Sequence, residues 1–378
     1  MLALKPSPAL EAVEVVGQSA FMAMEEEWNA LVVSTRDEPF YRHEFLRIWM
    51  DNFAASEKLE VLTARDGAGK LTAAFPLIRS RRFVCGLPAR SLQSTANSHS
   101  CRFDMVARDG PAAGRAFFSH LTTDKTWDMI RISDVPEGGN AWHLYRAAED
   151  AGFPVGAWES QRSPYLPIPS SHRESPEPSH SSLNATLRRR RRRLEAMGTV
   201  SVERVTGGAQ LRERLEEGFA LERSGWKGKE GTAILQDKST HGFYTELART
   251  AAARDYLSLF FLRLNGKPIA FHYGLTYGGV YYMPKLGYDE SVKKCSPGLV
   301  LVDEVVKDCL ARGVKGYDFL GPEVEWKMKW SSQVRPHHWL YIFRDSSFGQ
   351  ALQKAKFTLI PTAKHVLWPW RQDKGIDG

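Results

Sequence analysis

A weak internal repeat limits the possible folds of this chain more than any other feature of its sequence. Residues Leu59 to Ile78 resemble residues Leu257 to Thr276, because each segment has two apolar runs around a Gly-Lys turn. The pairs Asp66-Gly67 and Asn265-Gly266 are typical of tight β-hairpins. We therefore expect an antiparallel strand pair at both places.

The similarity continues beyond the two hairpins. Each is followed by a further strand, a helix and a short strand with an aromatic-Asp pair, Trp127-Asp128 and Tyr317-Asp318. A duplicated domain is the simplest explanation. Because hairpins and helical crossovers occur together, the fold class expected for each half is α/β (α+β), with a mixed, largely antiparallel sheet flanked by helices.

Apolar residues at helical spacing predict four helices in each half. They are expected at Phe21 to Val33, Arg42 to Phe53, Arg115 to Leu121 and Ala141 to Ala151, then at Leu183 to Met197, Gln210 to Ser224, Gly242 to Ala252 and Leu299 to Arg312.

The length of the chain also favours two domains, since 378 residues exceed the usual size of one hydrophobic core. The strongest change in composition is the Pro/Ser-rich stretch 163–182, which is typical of a linker. The predicted organisation is an N-terminal domain at 1–162, the linker, a C-terminal domain at 183–345 and an extension at 346–378.

The net charge of +7 suits an anionic ligand, which could be a nucleic acid, an anionic membrane or a phosphorylated cofactor. No apolar run reaches the roughly 18 residues of a membrane span. The first residues lack the basic-then-apolar order of a secretory signal, so we expect a cytoplasmic protein. The four cysteines have neither CxxC spacing nor a matching histidine pattern, and no metal site is predicted.

The start of the last predicted helix is the first candidate site. Ser296 suits the N-cap, Pro297 suits the first helical position, and Gly298 leaves room for a ligand. Leu299 occupies the position of a capping-box Glu, so free backbone N–H groups could bind an anion beside Lys294. The alternative is ordinary capping with no ligand.

The flanking segments favour the ligand. A predicted strand at 279–288 precedes this helix and another at 314–320 follows it, the order in which GNAT-type enzymes hold coenzyme A. Residues 183–343 resemble the acyltransferase domain of CelD-like GNAT proteins, which are related to FemAB proteins. The motifs that carry the resemblance are a basic helix before Gly198, Gly-Lys-Pro-Ile-Ala at 266–270, Cys-Ser-Pro-Gly-Leu at 295–299, Tyr-Asp-Phe-Leu-Gly at 317–321, and Trp326-Lys327 followed by Trp330.

The resemblance implies tandem GNAT-like domains and acetyl-CoA or another acyl-CoA as cofactor. It implies that the backbone from Tyr282 through Met283 to Lys285 lines the cofactor, where Pro284, lacking an N–H, fits an unpaired strand position. Lys294, Ser296, Pro297, Gly298 and Leu299 complete the implied cofactor site. The sequence departs from the family at Cys295, where most members have an aromatic residue.

Two residues are candidates for catalysis. Lys327 corresponds to a lysine that FemAB-like relatives place near the transfer centre, where its ammonium could stabilise an oxyanion. The alternative is an amphipathic turn with Lys327 in solvent and Trp326 and Trp330 in the core. Asp318 could be a base or an orienting residue, or it could be structural like Asp128.

Acceptor binding is assigned to Trp226 and Lys227, since the Gly-rich segment 222–234 resembles a feature of this subfamily, and to Trp330 at the end of the segment that contains Lys327. A simple connector is the alternative for that segment. His272 could be a base, although a lone strand histidine is more often a core residue.

Six consecutive arginines, Arg188 to Arg193, lie in a predicted helix. Six successive positions surround a helix, and no aromatic residues or nucleic-acid motif accompany them. We therefore favour binding of an anionic acceptor or of coenzyme phosphates, with a merely solvated helix as the alternative.

The function expected from the resemblance is transfer of an acyl group to an amine or hydroxyl of a sugar, polysaccharide precursor or other small molecule. The alternatives are a FemAB-like transferase that uses aminoacyl-tRNA and a non-catalytic GNAT-fold binding protein. A nucleic-acid partner is expected only under the first alternative. The first half has Asp109 at the matching helix start, where it would repel a pyrophosphate, so we expect no cofactor there.

Overall fold

The computed structural model describes residues 13–84, 86–168, 180–225, 231 and 233–359. Its strands form one mixed sheet. In chain order they are β1 (Val13–Val16), β2 (Lys58–Arg65), β3 (Leu71–Val84), β4 (Leu87–Ser94), β5 (Val106–Ala107), β6 (Met129–Pro136), β7 (Val155–Pro167), β8 (Val200–Val205), β9 (Leu259–Leu264), β10 (Lys267–Tyr277), β11 (Val280–Tyr288), β12 (Gly316–Asp318) and β13 (Val334–Phe343).

Helices cover both faces of this sheet. They are α1 (Gln18–Met22), α2 (Glu25–Thr35), α3 (His43–Phe53), α4 (Gly110–Thr123), α5 (Ala141–Asp150), α6 (His180–Glu195), α7 (Leu211–Ser224), α8 (Lys238–Ala253), α9 (Pro297–Ala311), α10 (Glu325–Met328) and α11 (Ser347–Lys354). Within the described ranges, no helix has the length and apolar character needed to cross a membrane.

The sheet order shows the duplication. It is β1-β2-β3-β4-β6-β13-β7-β12-β11-β10-β9-β8, with β5 beside β3. Strands β4 and β6 are parallel and connected through α4, and strands β11 and β12 are parallel and connected through α9. The other neighbouring strands are antiparallel. The predicted fold class, two halves with a mixed and largely antiparallel sheet, is confirmed.

The two halves exchange their last strands. Strand β7 ends the first half but pairs with β12 of the second half, with Tyr165 opposite Asp318. Strand β13 ends the second half but pairs with β6 of the first half. The two exchanged strands also pair with each other along most of their length. One continuous backbone hydrogen-bond network therefore crosses the molecule.

This exchange corrects the predicted linker at 163–182. Its first residues, Ser163 to Pro167, are the end of β7 and pair with β12 or β13, so the boundary at Ser163 is wrong. Prolines are tolerated there because their carbonyl groups still accept hydrogen bonds, as that of Pro164 does from the Phe319 N–H. The predicted extension from 346 begins with α11, which buries Leu352 beside Phe343 of β13.

The side chains of β13 complete the core of the first half. Leu340 and Ile342 are fully buried against the strand and helix residues of the first half, among them Ile130, Ile132 and Leu144. A second core lies on the opposite face of the sheet and extends through both halves, from Trp28 of α2 to Phe243 of α8. Because these cores are shared, we expect the halves to unfold together.

We predict that Leu340→Ala, a change near the end of the second half, destabilises the first half as well. Truncating a fully buried leucine costs about 2–5 kcal/mol, and the whole urea transition should move to lower concentration as one step. Tryptophan fluorescence and far-UV circular dichroism would follow it, with Val334→Ala at the partly exposed start of β13 as control. Two separate transitions would contradict the shared core.

Candidate active site

Strands β11 and β12 separate in the middle of the second half. Their parallel pairing runs from Val280 opposite Gly316 to Tyr282 opposite Asp318 and ends there. Strand β11 continues to Tyr288, while the Phe319 N–H binds the carbonyl of Pro164 on β7. From Met283 onward, β11 has no strand partner on this edge among the described residues. Such an edge offers backbone N–H and C=O groups to a ligand.

A bulge in β11 lies at the same point. Tyr273 of β10 pairs with Lys285, whereas Leu275 pairs with Tyr282, so Met283 and Pro284 together face the single residue Gly274. Proline, lacking an N–H, suits such an unpaired position. Tyr282 and Met283 are both 3% exposed, so they would meet a cofactor mainly through their backbone.

Helix α9 begins without a side-chain cap. Ser296 occupies the N-cap position, but its backbone is left-handed, with φ 49° and ψ 56°, and its hydroxyl accepts no capping hydrogen bond. Ser296 therefore takes the predicted N-cap position but does not cap the helix with its side chain, because that bond needs an extended N-cap residue. In the described structure the N–H groups of Gly298 and Leu299 have no hydrogen-bond partner, and both residues are partly exposed.

Gly298 leaves open space at this helix start. A Cβ added there would meet only the Tyr288 ring, at an ordinary 3.6 Å, and the backbone does not require glycine. The fold alone therefore does not explain this glycine, whereas a ligand that approaches the backbone closely would. The free N–H groups of Gly298 and Leu299 would bind the anion, and the ammonium of exposed Lys294 lies nearby.

Helix α6 lies against the segment that precedes α9. The Arg190 guanidinium donates to the carbonyl of Lys294, and the sulfur atoms of Met197 and Cys295 are 4.0 Å apart. Leu187 and Leu194 of α6 are buried in the core beneath. The basic helix and the candidate anion site are therefore neighbours in space, although more than 100 residues separate Arg190 from Lys294 in sequence.

The six successive arginines of α6 divide into two groups by their surroundings. Arg190 and Arg191 face the rest of the protein, where Arg191 pairs with Glu195 and with Glu304 of α9. The remaining four are exposed on one side of the helix, together with two alanines, and form no ion pair within the described ranges. This arginine face consists of Arg188, Arg189, Arg192 and Arg193.

The first half fills its equivalent helix start with its own side chains. The Asp109 carboxylate accepts a hydrogen bond of 2.9 Å from the N–H of Ala112 and caps α4. A side chain at Gly110 would clash with Asn140. An incoming anion would meet a carboxylate there, which supports our expectation that only the second half holds a cofactor.

Asp318 is fully buried, and both of its carboxylate oxygens accept hydrogen bonds from the protein. One of its oxygens accepts from Arg102 at 2.7 Å and from Arg335 at 3.1 Å, and the other accepts from the Leu320 N–H. Arg102 comes from the first half and also binds Glu38 at 2.7 Å. With three donors around it, the carboxylate joins the two halves rather than facing an open site.

Lys327 is also buried, at 7% exposure. Its Nζ donates to the carbonyl oxygens of Leu320 at 2.6 Å and Pro322 at 3.0 Å. These bonds hold the segment that follows β12. Trp330, an expected acceptor residue, is 4% exposed and lies in the core beside Phe319. Trp226 and Lys227 lie outside the described residues.

A polar cluster that the sequence did not indicate lies beside Lys285. The Tyr244 hydroxyl is 3.3 Å from Nδ1 of His99, and Nε2 of His99 is 3.3 Å from the Thr240 hydroxyl. The Lys285 ammonium lies 5.4 Å from the centroid of the Tyr244 ring. His99 belongs to the first half, and the only sequence signal was the polar stretch 94–100 after β4.

Two parallel strands that part beside an open helix start are the arrangement of a GNAT-type fold. Residues 181–328 match the model of the acetyltransferase (GNAT) domain family, so the chain contains such a domain. A search of curated proteins finds no match.

Solved structures share the fold at low sequence identity. A conserved protein of unknown function from Bacteroides thetaiotaomicron is 10% identical with a TM-score of 0.57, over 88% of this chain and 100% of that chain. FemX is 10% identical with a TM-score of 0.55, over 90% and 100%. L-PGS from Bacillus licheniformis is 11% identical with a TM-score of 0.51, over 88% and 95%.

We predict that Lys327→Met lowers the free energy of unfolding by about 1–3 kcal/mol, because two carbonyl groups lose their donor. Turnover should fall along with stability. Lys329→Met, which removes an exposed partner of Glu325, is the matched control. Urea unfolding and initial rates would be measured together. Loss of turnover at unchanged stability would instead give Lys327 a direct part in the reaction.

The stability of the protein should also depend on His272. This side chain is 1% exposed, and burial lowers its pKa to about 3, whereas an unfolded histidine has a pKa of about 6.5. As the pH falls, the unfolded state therefore binds a proton at a higher pH than the folded state does. Below pH 6.5 the free energy of unfolding decreases by up to about 1.4 kcal/mol per pH unit.

His272→Gln removes this titration. Between pH 7.5 and 5.0 the variant should lose about 2 kcal/mol less unfolding free energy than the parent protein. Urea unfolding at both pH values measures the difference, with His120→Gln in the last turn of α4 as control. An equal pH dependence in variant and parent would show that His272 does not carry it.

Proposed function

We propose that this protein is a CelD-like acyltransferase that moves an acyl group from acetyl-CoA or another acyl-CoA to an amine or hydroxyl. The observation that carries the proposal is the open edge of β11 beside the uncapped start of α9. The first half lacks this arrangement because Asp109 caps its helix. The domain match at residues 181–328 supports the same reaction class.

The residues present fit the coenzyme at two places. The free N–H groups of Gly298 and Leu299 suit a pyrophosphate, and the edge from Met283 to Lys285 suits the amides of the pantetheine arm. The helix dipole contributes only about 0.3–1 kcal/mol for an exposed anion, so direct hydrogen bonds, worth about 1.5–3 kcal/mol each to a charged group, must supply most of the affinity. When bound, the coenzyme supplies the acyl group as a thioester.

The protein has to orient the acceptor and take up its proton. We place the acceptor beside the bulge of β11, where Tyr244, His99 and Lys285 lie on one face of the sheet. Imidazole is the side chain that most often takes up a proton in such a step, and we propose His99 for this part. Trp226 and Lys227 stay part of this proposal as acceptor contacts.

Lys327 and Asp318 act in this proposal through other groups. Their bonds to the backbone of Leu320 fix the segment after β12 and so hold the gap between β11 and β12 open. We therefore propose them as positioning residues. The acceptor class, a sugar, a polysaccharide precursor or another small molecule, rests on the resemblance of the sequence to CelD-like proteins.

We predict that Gly298→Glu abolishes acetyl-CoA binding, because the new carboxylate would occupy the anion site. The matched control is Gly17→Glu, at the N-cap of α1, where an added Cβ has no neighbour within 4 Å. Isothermal titration calorimetry and release of free thiol would follow both variants. Binding of acetyl-CoA by Gly298→Glu at parental affinity would refute this cofactor site.

A second candidate is transfer from aminoacyl-tRNA, whose phosphates the exposed charge of the arginine face could accommodate. When a protein neutralises several phosphates of a nucleic acid, its affinity falls steeply as the salt concentration rises. Titration of tRNA at 50 and 200 mM salt should then show a large loss of affinity, whereas no binding at 50 mM would remove this candidate. A binding protein without catalysis would retain acyl-CoA without releasing thiol.

A further inference from the structure

We infer that Arg189 and Arg193 of α6 bind the 3′-phosphate of coenzyme A, a subsite separate from the pyrophosphate site at the start of α9. The inference rests on the proposed function and specifies how the donor is recognised. It starts from exposed arginines that form no ion pair with any residue that the structure describes.

The helix geometry places Arg193 beside the segment before α9. Arg190 contacts Lys294, and Met197 contacts Cys295. Arg193 follows Arg190 by three residues, the spacing at which side chains of a helix are neighbours, and it precedes by four residues Met197 in the turn after α6. Arg189 precedes Arg193 by four residues and continues this row along the same side.

Helix α9 itself lies on the other flank of α6. Arg191 reaches it and is neutralised there by Glu304. The side of Arg189 and Arg193 has no such carboxylate in the part of the chain that the structure describes, and both side chains are exposed. A positive surface thus begins beside Cys295, three residues before Gly298, and faces solvent.

The chemistry of the ligand fits this arrangement. Coenzyme A carries a pyrophosphate and, on the ribose at the same end, a separate phosphate. With the pyrophosphate at the amides of Gly298 and Leu299, the third phosphate has to find partners outside the helix start. One guanidinium group can donate two parallel hydrogen bonds to a phosphate, and these bonds are stronger than those of neutral donors.

The arginine face favours this small ligand over a nucleic acid. The face extends for little more than one helical turn, from Arg188 to Arg193, and among the described residues only arginine and alanine side chains line it. Proteins that bind single-stranded nucleic acid combine such charge with aromatic side chains on which bases stack. One phosphate beside the coenzyme site matches a patch of this size.

The test compares coenzyme A with dephospho-coenzyme A, which lacks only the 3′-phosphate. Calorimetry on the full chain should show about tenfold tighter binding of coenzyme A, as expected for a charge-assisted contact. The double variant Arg189→Ala/Arg193→Ala should bind both ligands nearly equally. The control double variant Arg212→Ala/Arg249→Ala, with exposed arginines on α7 and α8, should keep the tenfold preference.

The outcomes separate this inference from the proposed function. If the parent protein binds both ligands equally, the inference fails and the acyl-CoA proposal stands. If neither ligand binds, both fail. An equal loss of both ligands in the Arg189/Arg193 variant contradicts a 3′-phosphate contact. The inference is also contradicted if this variant keeps the preference for coenzyme A over dephospho-coenzyme A but no longer binds a short single-stranded RNA. The arginine face would then be a nucleic-acid site.

Discussion

The backbone pairing of β7 with β12 and β13 is the interaction on which the rest of the structure depends. Because β7 holds Asp318 and then Phe319 through their backbone groups, the chain after β12 follows β7 and leaves β11. Past Tyr282, strand β11 keeps its pairing with β10, while its other edge has no strand partner among the described residues. The gap that exposes its edge is therefore a consequence of strand exchange between the halves.

A buried ion pair reinforces the same point of the sheet. Arg102 of the first half is 3% exposed and binds Asp318, which is 0% exposed, where β11 and β12 part. Removing one partner of such a pair leaves an uncompensated buried charge and typically costs about 3–5 kcal/mol. The first half has a capped helix start instead of an open one, and it supplies Arg102 and His99 to contacts with the second half.

Much of this fold could be predicted from the sequence, since the hairpin at Asn265-Gly266 and helix α9 depend on local signals. The exchange of β7 and β13 could not, because the partners of Ser163 to Pro167 lie more than 140 residues away and proline-rich composition indicated a linker. Lys327 was expected in solvent or at the reaction centre. Its burial depends on two carbonyl groups whose positions only the tertiary structure determines.

We propose that the second half alone holds the coenzyme, at the start of α9. A crystal structure of the full chain grown with coenzyme A would show where the ligand binds. We predict density for the pyrophosphate within hydrogen-bond distance of the Gly298 and Leu299 N–H groups, and none at the α4 start capped by Asp109. Pyrophosphate density at the start of α4, or at another place away from α9, would refute this cofactor site.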